Sequence, residues 1–120
     1  MLNHILVADR IWLARLWGHD AGIERLDVAL YEDFEVLRAA RDGEDIAISD
    51  YVRRLSEDDL ASPISYRALN GDPHADALYE LLTHLFNHQT HYRGQAHDLL
   101  SQTAVASPSL DLIQFLREMR

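Results

Sequence analysis

From Leu2 to Trp17 the chain is apolar at almost every helical angle. Leu2, Ile5, Leu6, Val7, Ile11, Trp12, Leu13, Leu16 and Trp17 are broken mainly by His4, Asp9, Arg10 and Arg15. A helix that is apolar nearly all round is normally buried on several sides. This one begins abruptly, with no N-cap residue ahead of it, and Gly18 closes it. Residues 19–30, with Gly22 and mixed polarity, read as a connection holding one helical turn. His19 suits a loop or helix C-terminus, where a cation complements the macrodipole. Over residues 31–55, Phe34, Leu37, Ala40, Ile48, Val52 and Leu55 recur near helical spacing. That period predicts one amphipathic helix running through Gly43 at a cost of about 1 kcal/mol.

Residues 62–72 change character. Pro63 halts the preceding helix, residues 64–66 read as extended, and Asn70-Gly71 is a tight-turn pair, so a small hairpin or extended loop is expected. Asp72 followed by Pro73 predicts a helix start, with Asp72 as N-cap and Pro73 at the first helical position. That helix is expected to run to about residue 102, with His74 on the surface of its first turn. Gly94 in mid-helix implies that something packs close against the backbone, and so a tight helix crossing. Ser107-Pro108 predicts the start of a last helix whose apolar stripe is Leu110, Ile113, Leu116 and Met119. The expected fold class is all-α, a helical bundle with a minor extended segment near residues 62–72.

At 120 residues the chain is one domain (residues 1–120), large enough for a core without disulfides or a structural metal. It has no cysteine, which excludes a disulfide framework, a thiolate metal site and a cysteine nucleophile. Eleven Lys and Arg stand against twenty Asp and Glu, a net charge of −9 that repels phosphate backbones, so no nucleic-acid partner is expected. No apolar run is long enough for a membrane span or a signal peptide, so no membrane association and a cytoplasmic location are expected. The charges between residues 32 and 45 are most simply a solvated face.

The candidate chemistry lies in residues 81–100, LLTHLFNHQTHYRGQAHDLL, which hold four of the seven histidines. At about 100° per residue, His84, His88 and His91 fall within a sector of roughly 60°, with Gln95 among them and His97 opposite. Leu81, Leu85, Tyr92, Ala96 and Leu99 form the adjoining apolar stripe. Neutral imidazole is a common ligand for zinc and nickel, and two on successive turns can share one ion. A lone histidine on an apolar face is more often a hydrogen-bonded core residue; four within fourteen positions make the metal reading competitive. One helix cannot wrap an ion, and His4, on another apolar helix, is the natural outside ligand.

The segments LNHILVADRIWLARL, YRALNG, HLFNHQTHYRGQAHDLL and SLDLIQFLRE, in that order, resemble the DinB/YfiT-like proteins over nearly the whole chain. The NHQTH…RGQ segment is the most specific part of the resemblance. It implies an antiparallel four-helix bundle, usually dimeric, with a three-histidine site for a divalent metal such as zinc or nickel. Some relatives are metal-dependent transferases or isomerases that use low-molecular-weight thiols, and many have no established activity. The resemblance implies His4 and His88 as ligands. The third ligand is expected one turn beyond His88, where this chain has Tyr92, so His91, His84 and Tyr92 compete, with His91 favoured; loss of the site is the remaining alternative. Family members normally carry a further helix before the segment matching Leu2 to Trp17. Without it an apolar-all-round helix exposes a patch that drives association, so a homodimer or larger homo-oligomer is expected.

Three functions are compatible with these residues. A metal-dependent transferase or hydrolase would use the ion to activate a small-molecule thiol or water. Tyr92 and Gln95 would then orient the substrate, and Arg93 would pair with its carboxylate or simply with a surface acid. Asp9 would accept a hydrogen bond from a ligand imidazole, or form a structural ion pair. The alternatives are a non-catalytic metal-binding or stress-associated interaction module, and a degenerate metal-free bundle in which Tyr92 fills the old site.

Overall fold

The computed structural model describes residues 1–120. Five helices and one hairpin follow in order: α1 (Leu2–Trp17), α2 (Phe34–Arg53), α3 (Glu57–Ala61), β1 (Pro63–Arg67), β2 (Pro73–Ala77), α4 (Leu78–Ser101) and α5 (Leu112–Glu118). The chain is mostly helical, and α1 is its hub, packed against α4, α2 and β1. Its apolar character at every angle is explained by that position: Ile5, Leu6, Val7, Ala8, Ile11, Leu13 and Leu16 are all buried. The main cluster joins Leu13 and Leu16 to Ile48 and Tyr51 of α2 and to Leu78, Leu81 and Leu82 of α4.

The helices are not all antiparallel. His4 meets Tyr92 while Trp12 meets His84, so α1 and α4 run in opposite directions. Asp9 pairs with Arg41 while Trp17 packs on Tyr51, so α1 and α2 run the same way. Parallel neighbours need a connection that returns the length of the helix. Residues 18–33 provide it as an irregular strap with no helical turn, contrary to the expectation for residues 19–30. Gly18, at φ 80°, ends α1 in the left-handed conformation and donates to the Arg15 carbonyl. The Asp20 carboxylate then accepts from the Gly22 amide. At its far end, Asn3 donates to the Tyr31 carbonyl (3.0 Å) and accepts from the Tyr31 amide (3.1 Å), fastening the strap to the start of α1.

Helix α2 is shorter than residues 31–55. The Asp33 side chain caps its N-terminus by accepting from the Glu35 amide, and Arg54 caps its C-terminus. A separate capping box, Ser56 with Asp59, then starts the short α3. The predicted hairpin is present and reaches further than residue 72. Strands β1 and β2 pair antiparallel, with Arg67 opposite Pro73 and Pro63 opposite Ala77, around a turn with Gly71 at φ 91°. Asp72-Pro73 is therefore not a helix start. Pro73 opens β2, a place where a missing N–H is tolerated, and the Tyr66 hydroxyl donates to Asp76 at 2.7 Å to hold the strand across from its partner. The helix begins five residues later at Leu78. His74 accordingly lies on β2, exposed, with its ring stacked on Tyr66 at 5.5 Å.

Two further expectations fail on packing. Nothing lies within 4 Å of a Cβ built on Gly94, so no tight crossing occurs there. The last helix starts at Leu112 rather than at Pro108, with Asp111 as N-cap. All of α5 is exposed, Leu112 at 68% and Phe115 at 56%.

Candidate metal centre

The antiparallel seam between α1 and α4 carries the candidate chemistry. His4 sits one turn into α1, and His88 and Tyr92 sit on successive turns of α4. The His4 and His88 ring centroids are 5.3 Å apart. Tyr92 lies 4.4 Å from His4 and 4.5 Å from His88, so the three rings form a compact triangle. The local cause is helical phase. Tyr92 is only about 40° round the axis from His88, whereas His91 is about 60° away on the other side.

Each imidazole has a buried nitrogen without a hydrogen-bond partner, Nε2 of His4 and Nδ1 of His88. His4 Nδ1 is 3.2 Å from the Leu26 carbonyl oxygen, which can only accept, so Nδ1 carries the proton and Nε2 presents a lone pair. The strap thereby fixes the ring's tautomer and orientation. At His88, burial first and then the neighbouring His4, His84 and His91 rings push the imidazole below its ordinary value. That shift favours the neutral imidazole, the form that ligates metals.

These donors fit a divalent ion in two respects. Orphaned buried nitrogens are rare in folded proteins, and a bound cation would satisfy both. Two imidazoles on one tetrahedral ion, with metal–nitrogen distances of about 2.0–2.1 Å, hold their ring centroids roughly 5 Å apart, close to the spacing found.

The other candidate ligands lie elsewhere. His91 is exposed; its Nε2 is 3.0 Å from the Gln95 amide nitrogen, and its ring meets Tyr92 edge-on at 4.8 Å. Gln95 is likewise exposed and spent on His91. His84 is exposed, 6.1 Å from His88, with its ring against Trp12 at 5.1 Å. No three His, Cys, Asp or Glu side chains come together as a ligand group, so a third imidazole does not join His4 and His88. Arg93 forms no ion pair and lines a cavity of about 340 Å³ with Leu2, Phe34, Leu37 and Arg38, between α4 and the start of α1 and α2.

Asp9 does not reach an imidazole. It is 1% exposed, accepts from the Gln89 amide at 2.8 Å and pairs with Arg41 at 2.7 Å, while Arg41 also binds Asp45 at 2.7 Å. This network ties α1, α2 and α4 together beside the imidazole pair, and is the structural ion pair of the two roles considered for Asp9. Sequence reasoning missed the Leu26 carbonyl, because a backbone acceptor in an irregular strap leaves no residue-type signal. It also missed Trp12, which extends the row of rings past His84 to Tyr66 (5.2 Å); its spacing of eight from His4 was the available clue.

The model of the DinB family matches residues 1–119. The chain belongs to the DinB family. Comparison with the curated proteins and with the solved structures gives no match. No helix in this DinB chain is long and apolar enough to cross a membrane.

Proposed function

We propose that this DinB chain binds one divalent metal ion, zinc or nickel, through His4 and His88, and uses it as a metal-dependent transferase acting on a low-molecular-weight thiol. The observation carrying this reading is the pair of buried, unpartnered ring nitrogens on two antiparallel helices. When bound, such an ion lowers the pKa of a thiol or water in an open coordination position and supplies a nucleophile at neutral pH. The chain's own residues do the rest. The Leu26 carbonyl keeps the His4 proton on Nδ1, away from the ligating nitrogen. The Tyr92 phenol, beside both rings, closes the third side as a weak ligand or as a hydrogen-bond donor to the developing anion. The Trp12 and His84 rings wall the approach along the seam.

A second reading is favoured by the absence of a three-residue ligand group: a metal-free bundle in which Tyr92 fills the site. Metal content separates them. Purified protein supplemented with zinc or nickel is expected to retain close to one ion per chain, and His88→Ala to retain none. A wild-type protein that retains no ion under either supplement would overturn the metal reading. Thiol conjugation to electrophiles then tests catalysis: turnover must vanish in a folded His4→Ala variant.

We also infer that a second copy covers the open apolar face. Phe34, Val36, Phe86 and Leu99 are exposed, as are Leu112, Phe115 and Met119 of the unpacked α5. Exposed apolar side chains on this scale mark association surfaces.

A further inference from the structure

Beyond the imidazole pair, the row of rings on the α1–α4 seam ends on a cation. The Arg15 guanidinium lies over Trp12 at 4.6 Å and over Tyr66 at 5.1 Å, clamped between two aromatic side chains from different elements. Stacking of this kind attracts a cation to the ring faces and holds its planar fork in one orientation. Arg10, Arg25, Arg41 and Arg53 all pair with acids. Arg15 has no ion pair and no hydrogen bond, although it is half-buried and the chain carries an excess of acids. Its fork therefore has five free donors. Burial pulls its pKa down, with Tyr66 and Asp20 acting the other way, yet a guanidinium remains charged at any physiological pH.

Arg15 faces a half-open cleft of about 700 Å³ bordered by α1, the start of the strap and β1. That volume falls in the range of small-molecule sites. The other charged groups there are Arg25, Arg67, Asp20 and Glu24. Arg25 is neutralised by Asp27 at 2.7 Å, and Arg67 forms no ion pair but donates to the Gly71 carbonyl; the Asp20 carboxylate accepts from the Gly22 amide and, like Glu24, stays an anion with which an incoming anion has to compete. Arg15 is the cation there that has neither an ion pair nor a hydrogen bond and is held in place by two rings. It shares a face of α1 with His4, eleven residues and three turns away, which is about 16 Å along the axis.

We propose that Arg15, clamped by Trp12 and Tyr66, is the anchor for a carboxylate or phosphate on the substrate's tail. The bidentate fork suits either group. The substrate is then an elongated anion, its tail in the 700 Å³ cleft and its reacting end beside His4 and His88; that last assignment rests on the metal reading above. The small probes succinate and inorganic phosphate test the anchor directly, without metal.

Trp12 touches the Arg15 guanidinium, so its fluorescence reports occupancy. In a Trp17→Phe background with chelator present, titration with succinate or inorganic phosphate is expected to give a saturable change that an equal ionic strength of chloride does not. Whichever probe saturates at lower concentration identifies the tail group. Arg15→Gln should abolish the change, and Arg15→Lys should weaken binding about tenfold, because a point charge replaces the stacked fork. Circular dichroism checks the fold, and Arg15→Lys carries the test should Arg15→Gln not fold. Undiminished binding in both variants, or no saturable response to either probe, would overturn the proposal. His88→Ala should leave the response intact, and a wild-type protein that binds the probe but retains no metal counts against the imidazole site and not against this anchor.

Discussion

Two ring nitrogens left without partners in a largely satisfied structure set the residue-scale expectations. His4 Nε2 and His88 Nδ1 are buried together with Tyr92, while His91 is exposed and bonded to Gln95. Replacing His91 by Ala should therefore leave metal affinity within about twofold of wild type, whereas His4→Ala should lower it by two orders of magnitude or more; equilibrium dialysis reads both. Asp9 sets a second expectation. Removing its carboxylate in Asp9→Ala leaves the buried Gln89 amide without its acceptor and Arg41 with Asp45 alone, and should cost about 1–3 kcal/mol in denaturant unfolding. Its pH dependence has a defined sign. Burial raises the Asp9 carboxyl above 3.8, outweighing the Gln89 amide and Arg41. The folded state thus holds this proton more tightly than the unfolded chain does. The stability Asp9 contributes is fullest below pH 3.8 and declines as pH rises through the raised folded value. The Tm difference between wild type and Asp9→Asn should fall across that window and be flat above it. A difference that grows with pH would contradict this.

At the scale of elements, helical period carried much of the fold and local chemistry decided its edges. Helix α1 was legible with its bounds, because apolar residues at all angles and a terminal glycine leave little choice. The hairpin was legible from Asn70-Gly71, but its second strand was not: Asp72-Pro73 is as good a helix start as a strand entry, and only the Tyr66–Asp76 bond and the ladder decide. Helix α3 was missed although its Ser56–Asp59 capping box is written in the sequence, because the apolar period masked the break at Arg54. Within the site, His4 and His88 were legible as candidates from two segments; that His91 lies outside the triangle of His4, His88 and Tyr92 needed the direction in which α4 faces α1. Gly43, inside α2, has open space around its missing side chain. Gly43→Ala should stabilise the protein by about 0.5–1 kcal/mol, measured as a raised midpoint in urea.

The whole molecule is thin for its length. Its radius of gyration is 15.8 Å and its extents are 45 × 37 × 21 Å, where a compact chain of this size has a radius of about 14 Å. Sixteen residues are buried, and α5 packs on nothing substantial. Such a slab leaves apolar surface on α2, α4 and α5 that a second copy would cover. Sedimentation should give twice the chain mass at micromolar concentration, and a double Phe86→Glu, Phe115→Glu variant should sediment as a monomer. An unchanged mass in that variant would place the contact elsewhere, and a monomeric wild type would remove it.

The most direct measurement follows the imidazole nitrogens themselves. With nitrogen-15 histidine, a zinc titration watched by NMR should shift the His4 Nε2 and His88 Nδ1 resonances together, complete at one equivalent. The His4 Nδ1 proton bonded to Leu26 should persist, and His91 and His97 should stay in place. Independent titration of His4 and His88, or no response from either, would show that the two helices do not share an ion.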